Sequence, residues 1–184
     1  GTYARGSTES DAEVGDRAND AVRVTGADVR AKVVGEGANL GMTARARVEY
    51  ALNGGRCNSD AIDNSGGVNS SDVEVNVKIA FAPVLASGQL KRADRDRLLA
   101  SMTDQVAGLV LANNYDQTLA LSLVERRARD EFADQRRFMA WLETRGLLDR
   151  AVEKLPTDAQ LDERAARGQA LTRPELAILL AYAK

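Results

Sequence analysis

Apolar and polar positions divide the chain into an N-terminal part of mixed pattern and a C-terminal part with helical spacing. The first twenty residues are polar and contain glycines, which is typical of a loop or a short irregular segment. From about residue 89 to the end, apolar side chains recur every three or four residues. The pattern therefore predicts residues 1–88 as an α/β part and residues 89–184 as an all-helical region, with helix predominating overall.

Two short runs near the N-terminus predict strands. Residues 22–24 (VRV) form a possible short strand that a Thr-Gly pair closes. Residues 29–35 (VRAKVVG) predict a buried strand, because the run is short, is β-branched at Val33 and Val34, and stops at a glycine.

A helix is predicted after Thr43, whose hydroxyl can cap the helix N-terminus, and Gly54 with Gly55 can end it. Residues 57–63 could form a further short strand. Residues 64–71 (NSGGVNSS) predict a loop, because they are rich in Gly, Ser and Asn.

The stretch 73–81 (VEVNVKIAF) fits two structures. Its alternation of apolar and polar residues predicts a strand, yet the apolar residues also fit one face of a helix. Ser71 and Glu74 have the S-x-x-E spacing of a capping box that would begin such a helix. The pattern alone leaves both alternatives open.

The helical region shows several start and stop signals. A long amphipathic helix is predicted through residues 98–110, and Asn113 with Asn114 is predicted to interrupt it. Further helices are predicted around 119–124, around 132–142 and up to Leu155, where Gly146 is an end cap and Pro156 a stop. Two capping boxes predict helix starts, at Thr157 with Gln160 and at Thr172 with Glu175, the latter reinforced by Pro174.

Composition narrows the classes of function. The 184 residues suit one domain or a small domain with an appendage, and 44% are hydrophobic, so a packed core is expected. The net charge is −2 and the charges are evenly divided along the chain, so no basic stripe supports nucleic acid as a partner. No apolar run reaches the roughly 18 residues of a membrane span, so no membrane partner is expected.

The chain has no histidine and one cysteine, Cys57. These counts exclude a Ser-His-Asp triad, a histidine-activated thiol and a histidine metal site within the chain. A single cysteine suits a reducing cytoplasm. The chain begins without an initiator Met and ends inside a helical pattern, which leads us to expect a fragment of a longer protein.

The stretch GEGANLG, residues 35–41, carries the first candidate chemistry. Its G-x-G-x-x-x-G spacing nearly matches the dinucleotide-binding fingerprint, but Leu40 stands where the third glycine belongs. The context of a predicted strand before it and a predicted helix after it is right for that fingerprint. The residues favour a strand-to-helix turn over a pyrophosphate cradle, and in open α/β sheets such turns border ligand sites.

Two motifs in order carry a resemblance to a known family. Glu36-Gly37-Ala38-Asn39 is followed by Asn64-Ser65-Gly66-Gly67-Val68 and then by Ser71 and Glu74. This arrangement resembles the late part of the cofactor domain of glutamate dehydrogenases. The surrounding sequence resembles their large, NAD-specific bacterial branch. The phrases that carry the resemblance are GTYARGS, GDRANDAVRV, RAKVVGEGANLGMT, RVEYALNGGRCNSDAIDNSGGV, NNYDQTLALSL and LTRPELAILLAYAK.

The resemblance implies a fold and a set of site residues. It implies that residues 1–88 are the C-terminal part of a Rossmann-like NAD-binding domain, and it favours helix for the ambiguous stretch. It assigns Gly37, Asn39, Asn64 and Gly66 to the NAD pocket. Asn64 would also lie against the substrate, and Ser71 would hydrogen-bond the side-chain carboxylate of glutamate. A hydroxyl at a helix N-terminus suits a carboxylate, since free N–H groups lie beside it.

Structural alternatives stand beside these roles. Ser71 could serve only as an N-cap, and Asn39 only as a left-handed turn residue. The glycines of NSGGV could serve backbone geometry alone.

The resemblance also implies what is missing. The family's chemistry needs a lysine that polarises the substrate carbonyl and an aspartate that moves protons, and neither motif occurs in this chain. We therefore expect no catalytic residue and no metal ligand here, and we expect the isolated chain to be inactive. The parent would convert L-glutamate, NAD and water to 2-oxoglutarate, ammonia and NADH, as a homo-oligomer.

Two other classes of function compete. The segment 90–184 could be a helical assembly or regulatory module, because it combines capped amphipathic helices with no candidate catalytic group. A free-standing nucleotide-binding protein is the third alternative.

Overall fold

The structure is a computed structural model that describes residues 1–37 and 40–184. The described residues form two short strands and ten α-helices. In chain order they are β1 (Ala4–Arg5), α1 (Asp11–Val14), β2 (Val24–Thr25), α2 (Ala44–Leu52), α3 (Asp60–Asp63), α4 (Ser65–Ala86), α5 (Arg92–Ser101), α6 (Thr103–Arg127), α7 (Phe132–Thr144), α8 (Arg150–Glu153), α9 (Asp158–Ala166) and α10 (Arg173–Ala183). The prediction of a predominantly helical chain is confirmed.

Extended segments pair in parallel near the N-terminus. Strand β1 pairs with β2, and Ala4 lies opposite Val24. Ala4 also forms a parallel bridge with Met42, and Val33 forms one with Arg56. Of the predicted strand at 22–24, only Val24 is in a strand, and β2 extends one residue further to Thr25.

Two strand predictions are wrong. Residues 29–35 have no strand, apart from the bridge at Val33, whose side chain is 67% exposed. Residues 57–63 end in helix α3, where Asp60 favours helix because a carboxylate is stabilised in the first turn. A strand needs a neighbour on which to complete its hydrogen bonds, and Val33 pairs only with Arg56 among the described residues.

Helix α2 begins as the sequence predicts. The Thr43 hydroxyl accepts a hydrogen bond from the Ala46 N–H at 3.0 Å, and Gly54 follows the helix with a φ of 88°, in the left-handed region. Buried Ala46 and Tyr50 pack with residues before and after the helix, and the Tyr50 hydroxyl donates to the Ala31 carbonyl at 2.7 Å. This small core fixes the segments on both sides of α2.

Helix α4 begins six residues earlier than predicted. Residues 73–81 are helical, which confirms the helix that the resemblance favours. The loop predicted at 64–71 and the helix start predicted at Ser71 are wrong. The Asn64 carbonyl accepts hydrogen bonds from the Gly67 and Val68 N–H groups at 3.0 and 2.9 Å. Ser65 is buried in a tertiary contact, and this contact starts the helix despite two glycines in its first turn.

The break predicted at Asn113 and Asn114 is also wrong. Helix α6 runs through both residues, whereas the long helix predicted over 98–110 divides at Met102. The Asn114 side chain donates to the Ile62 carbonyl at 3.2 Å and to the Ser65 hydroxyl. An asparagine side chain with such partners no longer competes for the hydrogen bonds of the nearby backbone, so the helix continues.

The capping predictions in the C-terminal third are confirmed. Capping boxes form at Thr157 with Gln160 and at Thr172 with Glu175, and Gly146 ends α7 with a φ of 67°. The larger core lies among these helices and contains, among others, Leu121, Met139, Leu142, Leu161, Leu171 and Leu176.

Helices of the two predicted parts pack against one another. Helix α4 contacts α6, and α10 contacts both α2 and α6. The division at residues 88 and 89 stays a prediction. In the described ranges, no helix has the length and apolar character needed to cross a bilayer.

Candidate functional site

The first motif, Glu36 to Asn39, is described only in part. Asn39, a predicted cofactor residue, lies outside the described residues. Gly37 is exposed, and a Cβ on it would meet nothing within 4 Å. The Glu36 carboxylate turns back on its own loop and accepts a hydrogen bond from the Gly41 N–H at 2.7 Å. A Cβ on Gly41 would stand 2.8 Å from that carboxyl group, so glycine is what permits this bend.

The start of the first motif contacts the residue directly before the second motif. The Glu36 N–H donates to the Asp63 carboxylate at 3.2 Å, and Asp63 directly precedes Asn64. Asp63 also accepts from the Asn58 side-chain amide at 2.9 Å. The hydrogen bond therefore joins Glu36, the first residue of one motif, to the residue that precedes Asn64.

Arg47, from helix α2, is the centre of this junction. Its side chain is 2% exposed, and one guanidinium nitrogen lies 2.5 Å from Glu36 and 3.7 Å from Asp60. The other terminal nitrogen lies 3.4 Å from Asp63 and donates to the Asn58 carbonyl at 3.0 Å. A planar guanidinium can serve several acceptors at once, which an ammonium group cannot do in this geometry.

The junction is electrostatically unbalanced. One guanidinium faces three carboxyl groups, Glu36, Asp60 and Asp63. Burial raises the pKa of the Asp60 carboxyl above its ordinary value, and Glu36 adds to this rise while Arg47 opposes it. Arg47 thus holds together a cluster whose carboxylates repel one another.

Asn64 occupies the turn between α3 and α4. It is buried, with 7% exposure, and it caps α4 with a φ of −90° and a ψ of 13°. A Cβ on Gly67 would stand 2.8 Å from the Asn64 side-chain oxygen. The glycine therefore leaves room for the orientation that this amide has.

Asn64, Gly67 and Ser71 form a stripe on one face of α4. Their spacing of three and four residues places them on consecutive turns, and seven residues at 1.5 Å each span roughly 10 Å. Gly66 and Ser71 are exposed, and a Cβ on Gly66 would meet nothing within 4 Å. The stripe is thus exposed at Gly67 and Ser71, whereas Asn64 at its start is buried.

Ser71 lies in the second turn of α4 and not at its start. Its predicted position beside free backbone N–H groups is therefore wrong. The N-terminus of the helix, where such groups occur, lies at Ser65 and Gly66.

A large cleft in the described part of the chain does not include this stripe. It has a volume of about 770 Å³ and lies between the extended segments at 33–35 and 56–58, helix α6 and the start of α10. The predicted site residues Gly37, Asn64, Gly66 and Ser71 are not among its lining residues. Cys57 does line it, but burial raises the pKa of that thiol to about 11, so it is a poor nucleophile.

The sequence reasoning missed Arg47, Asn58 and Arg173. A signal was present for Arg47, because it stands three residues before Tyr50 and four before Ala51 on the face of α2 that packs inward. A charged residue at such a position requires buried partners. Asn58 and Arg173 are 115 positions apart, and no spacing rule connects them.

Comparison with known proteins gives the family to which this sequence is similar. The family model described as bacterial NAD-glutamate dehydrogenase, catalytic domain, matches residues 1–124. The whole chain is 56% identical to the NAD-specific glutamate dehydrogenase of Pseudomonas aeruginosa, 52% to that of Halomonas elongata and 47% to that of Mycobacterium tuberculosis. The chain spans 11% of the length of each of these relatives. The family match covers the two motifs that Arg47 joins, and the chain belongs to the bacterial NAD-glutamate dehydrogenase family.

Proposed function

We propose that this chain is part of an NAD-dependent glutamate dehydrogenase and contributes residues to its cofactor and substrate pocket. The whole protein oxidises L-glutamate to 2-oxoglutarate and ammonia. NAD is the electron acceptor and takes a hydride from the α-carbon of the substrate. The proposal includes NAD as cofactor, a cytoplasmic location and residues 1–88 as the end of a Rossmann-like domain.

The junction between the two motifs is the observation that carries the proposal. The hydrogen bond from Glu36 to Asp63, reinforced by Arg47, brings the segment before Asn39 against the segment before Asn64. A nicotinamide ring must be held in one orientation, and an amide side chain offers a donor and an acceptor together. Open space beside Gly37 and Gly66 fits the close approach of a cofactor.

The stripe on α4 supports the division of roles between cofactor and substrate. Asn64 lies at the helix start and Ser71 about two turns further on, with Gly67 between them. In the proposal Asn64 orients the reacting ends of cofactor and substrate, and Ser71 binds the distal carboxylate of glutamate. A hydroxyl donor to a carboxylate makes a charge-assisted hydrogen bond, which is stronger than a neutral one.

The residues that move protons are proposed to lie elsewhere in the longer protein. This chain has neither the lysine nor the aspartate motif of the family. By itself it is expected to show no turnover and weak or no NAD binding, which titration of NAD into the purified chain measures.

The test uses the full-length protein that carries this segment. Asn64→Ala is expected to lower kcat, because the reacting groups lose their orientation. Ser71→Ala is expected to raise the KM for glutamate about tenfold, the effect of one lost charge-assisted hydrogen bond. Steady-state kinetics with NAD and glutamate as varied substrates measure both.

A neighbouring serine supplies the matched control. The Ser70 hydroxyl donates to the Gly66 carbonyl of its own helix at 2.5 Å, so Ser70→Ala should leave the kinetics unchanged. If Asn64→Ala and Ser71→Ala both keep wild-type constants, the assignment of the site is wrong.

A second candidate function, assembly, is favoured by an exposed apolar stripe on α6. Leu111, Tyr115, Leu119 and Leu123 follow one another at four-residue spacing, and their exposure ranges from 43% to 70%. Monomers rarely expose contiguous apolar surface of this kind. We propose that this stripe lies in a homo-oligomer interface of the full-length protein.

Light scattering tests the assembly proposal. Leu111→Lys is expected to lower the molar mass of the assembly. Val152→Lys, at an equally exposed apolar position on α8, serves as the control and is expected to leave the mass unchanged. A wild-type protein that is monomeric at all concentrations would refute the proposal.

A further inference from the structure

Two of the phrases that carry the family resemblance, NNYDQTLALSL on α6 and LTRPELAILLAYAK on α10, contain no group with a proposed role in the cofactor or substrate pocket. In the structure these two helices contact each other, and both contact residues 58–65, the segment that includes α3 and Asn64. We call this segment the corner.

Arg173 connects α10 to α6 and to the corner. Its guanidinium donates to the Asn58 side-chain oxygen at 2.5 Å and to the Thr118 carbonyl at 3.0 Å. The same group donates to the Ser122 hydroxyl at 3.1 Å and the Glu125 carboxylate at 3.0 Å. Its side chain is 18% exposed, so water screens these bonds only in part.

Asn58 links Arg173 to the motif junction, because it bonds to both. Its side-chain oxygen accepts from Arg173, while its amide nitrogen donates to Asp63 at 2.9 Å. Its backbone carbonyl accepts from Arg47 at 3.0 Å. Both polar ends of one amide side chain are thus used, and rotation of Asn58 would break two contacts at once.

Asn114 forms hydrogen bonds with the other end of the corner. Its side-chain amide donates to the Ile62 carbonyl at 3.2 Å and to the Ser65 hydroxyl, the residues that flank the segment Asp63-Asn64. Asn114, Thr118, Ser122 and Glu125 recur every three or four residues on α6, so they form one polar face toward the corner and Arg173.

We propose that Arg173 and Asn114 are positioning residues, which hold the corner from the helical region and thereby orient Asn64 without touching a ligand. The helical region then contributes to catalysis through the geometry of the corner. The kinetic part of this inference rests on the proposed function, whereas the structural part does not.

Hydrogen exchange of the full-length protein tests the structural part. The N–H groups of Asp63 and Asn64 bond to Ser59 and Asp60, and that of Gly67 bonds to Asn64. Arg173→Gln and Asn114→Ala should each speed exchange of these amides about tenfold, because a supporting bond of the corner is lost. Arg173→Lys keeps the charge without the forked geometry and should restore protection only in part.

Matched controls separate positioning from general loss of stability. Asn113 is exposed and adjacent to Asn114, and its side chain accepts from Gln117 on the same helix. Arg167 is exposed and pairs with Glu163. Asn113→Ala and Arg167→Gln should leave exchange at the corner unchanged. Unchanged exchange there in Arg173→Gln and Asn114→Ala would overturn the inference.

Kinetics test the functional part. Because Asn64 is proposed to orient the reacting groups, Arg173→Gln and Asn114→Ala should each lower kcat about tenfold while the KM for glutamate changes less than threefold. A fall in kcat no larger than the loss of folded fraction, measured by circular dichroism on the same samples, would reduce both residues to a structural role and overturn the inference. A wild-type protein without NAD-dependent glutamate oxidation would refute the proposed function, and the exchange data would still decide whether these residues hold the corner.

Discussion

Replacement of Arg47 by methionine tests the motif junction most directly. Methionine fills much of the same volume, so the main loss is the cation that faces Glu36, Asp60 and Asp63. Arg47 is buried, with a side chain 2% exposed, and removing one partner from a buried ion pair costs about 3–5 kcal/mol. In a chain of this size each kcal/mol lowers Tm by about 2–4 °C. We therefore expect Arg47→Met to lower Tm by roughly 10 °C.

The loss of stability should depend on pH. Burial already raises the pKa of Asp60, and Arg47 opposes this rise, so removal of Arg47 raises that pKa further. The folded variant then keeps a proton that the unfolded chain has released. Its stability therefore falls as the pH rises above the ordinary range of an aspartate. The difference between the wild type and Arg47→Met should be large at pH 7 and should shrink as the pH approaches 4.

Urea unfolding followed by circular dichroism measures both effects. Arg45→Met is the control, because Arg45 lies on the same helix with a side chain 42% exposed and a carboxylate of Glu9 4.0 Å away. Such a surface pair contributes at most about 1 kcal/mol. Asp60→Asn in the Arg47→Met background should restore part of the stability at pH 7 by removing one uncompensated charge. Equal losses in Arg47→Met and Arg45→Met, or a loss independent of pH, would refute the electrostatic account of the junction.

The remaining predictions concern packing and the thiol. Gly26→Ala should lower stability by about 1–3 kcal/mol in urea unfolding, because its Cβ would stand 2.4 Å from the Ala46 backbone oxygen, whereas Gly35→Ala, with open space around it, should be neutral. Cys57 should react with a thiol reagent at pH 8 at least about 100-fold more slowly in the folded protein than in urea, since burial raises its pKa to about 11. Equal rates in the two states would contradict the burial of this thiol.

Local sequence signals predicted helix ends well. Thr43, Thr157 and Thr172 cap helices as predicted, and Gly54 and Gly146 follow helices in the left-handed conformation. Each of these features involves bonds between residues at most four positions apart. The information is therefore contained in a short window of the chain and does not depend on the rest of the fold.

Tertiary contacts decided the elements that the pattern predicted wrongly. The break expected at Asn114 is absent because its side chain bonds to Ile62 and Ser65, about 50 positions away. Likewise, α4 begins at Ser65, in a turn held by α6. A residue type that breaks a helix in isolation can support one when a distant partner satisfies its polar groups.

By itself the sequence determined the predominance of helix, the caps, and the order of the two glycine motifs that indicates the family. Only the tertiary structure decided that Arg47 joins those motifs and that Arg173 reaches Asn58 across 115 positions. The physical reason is range: a cap closes within one helical turn, whereas a buried charge finds its acceptors only after the chain has brought distant segments together.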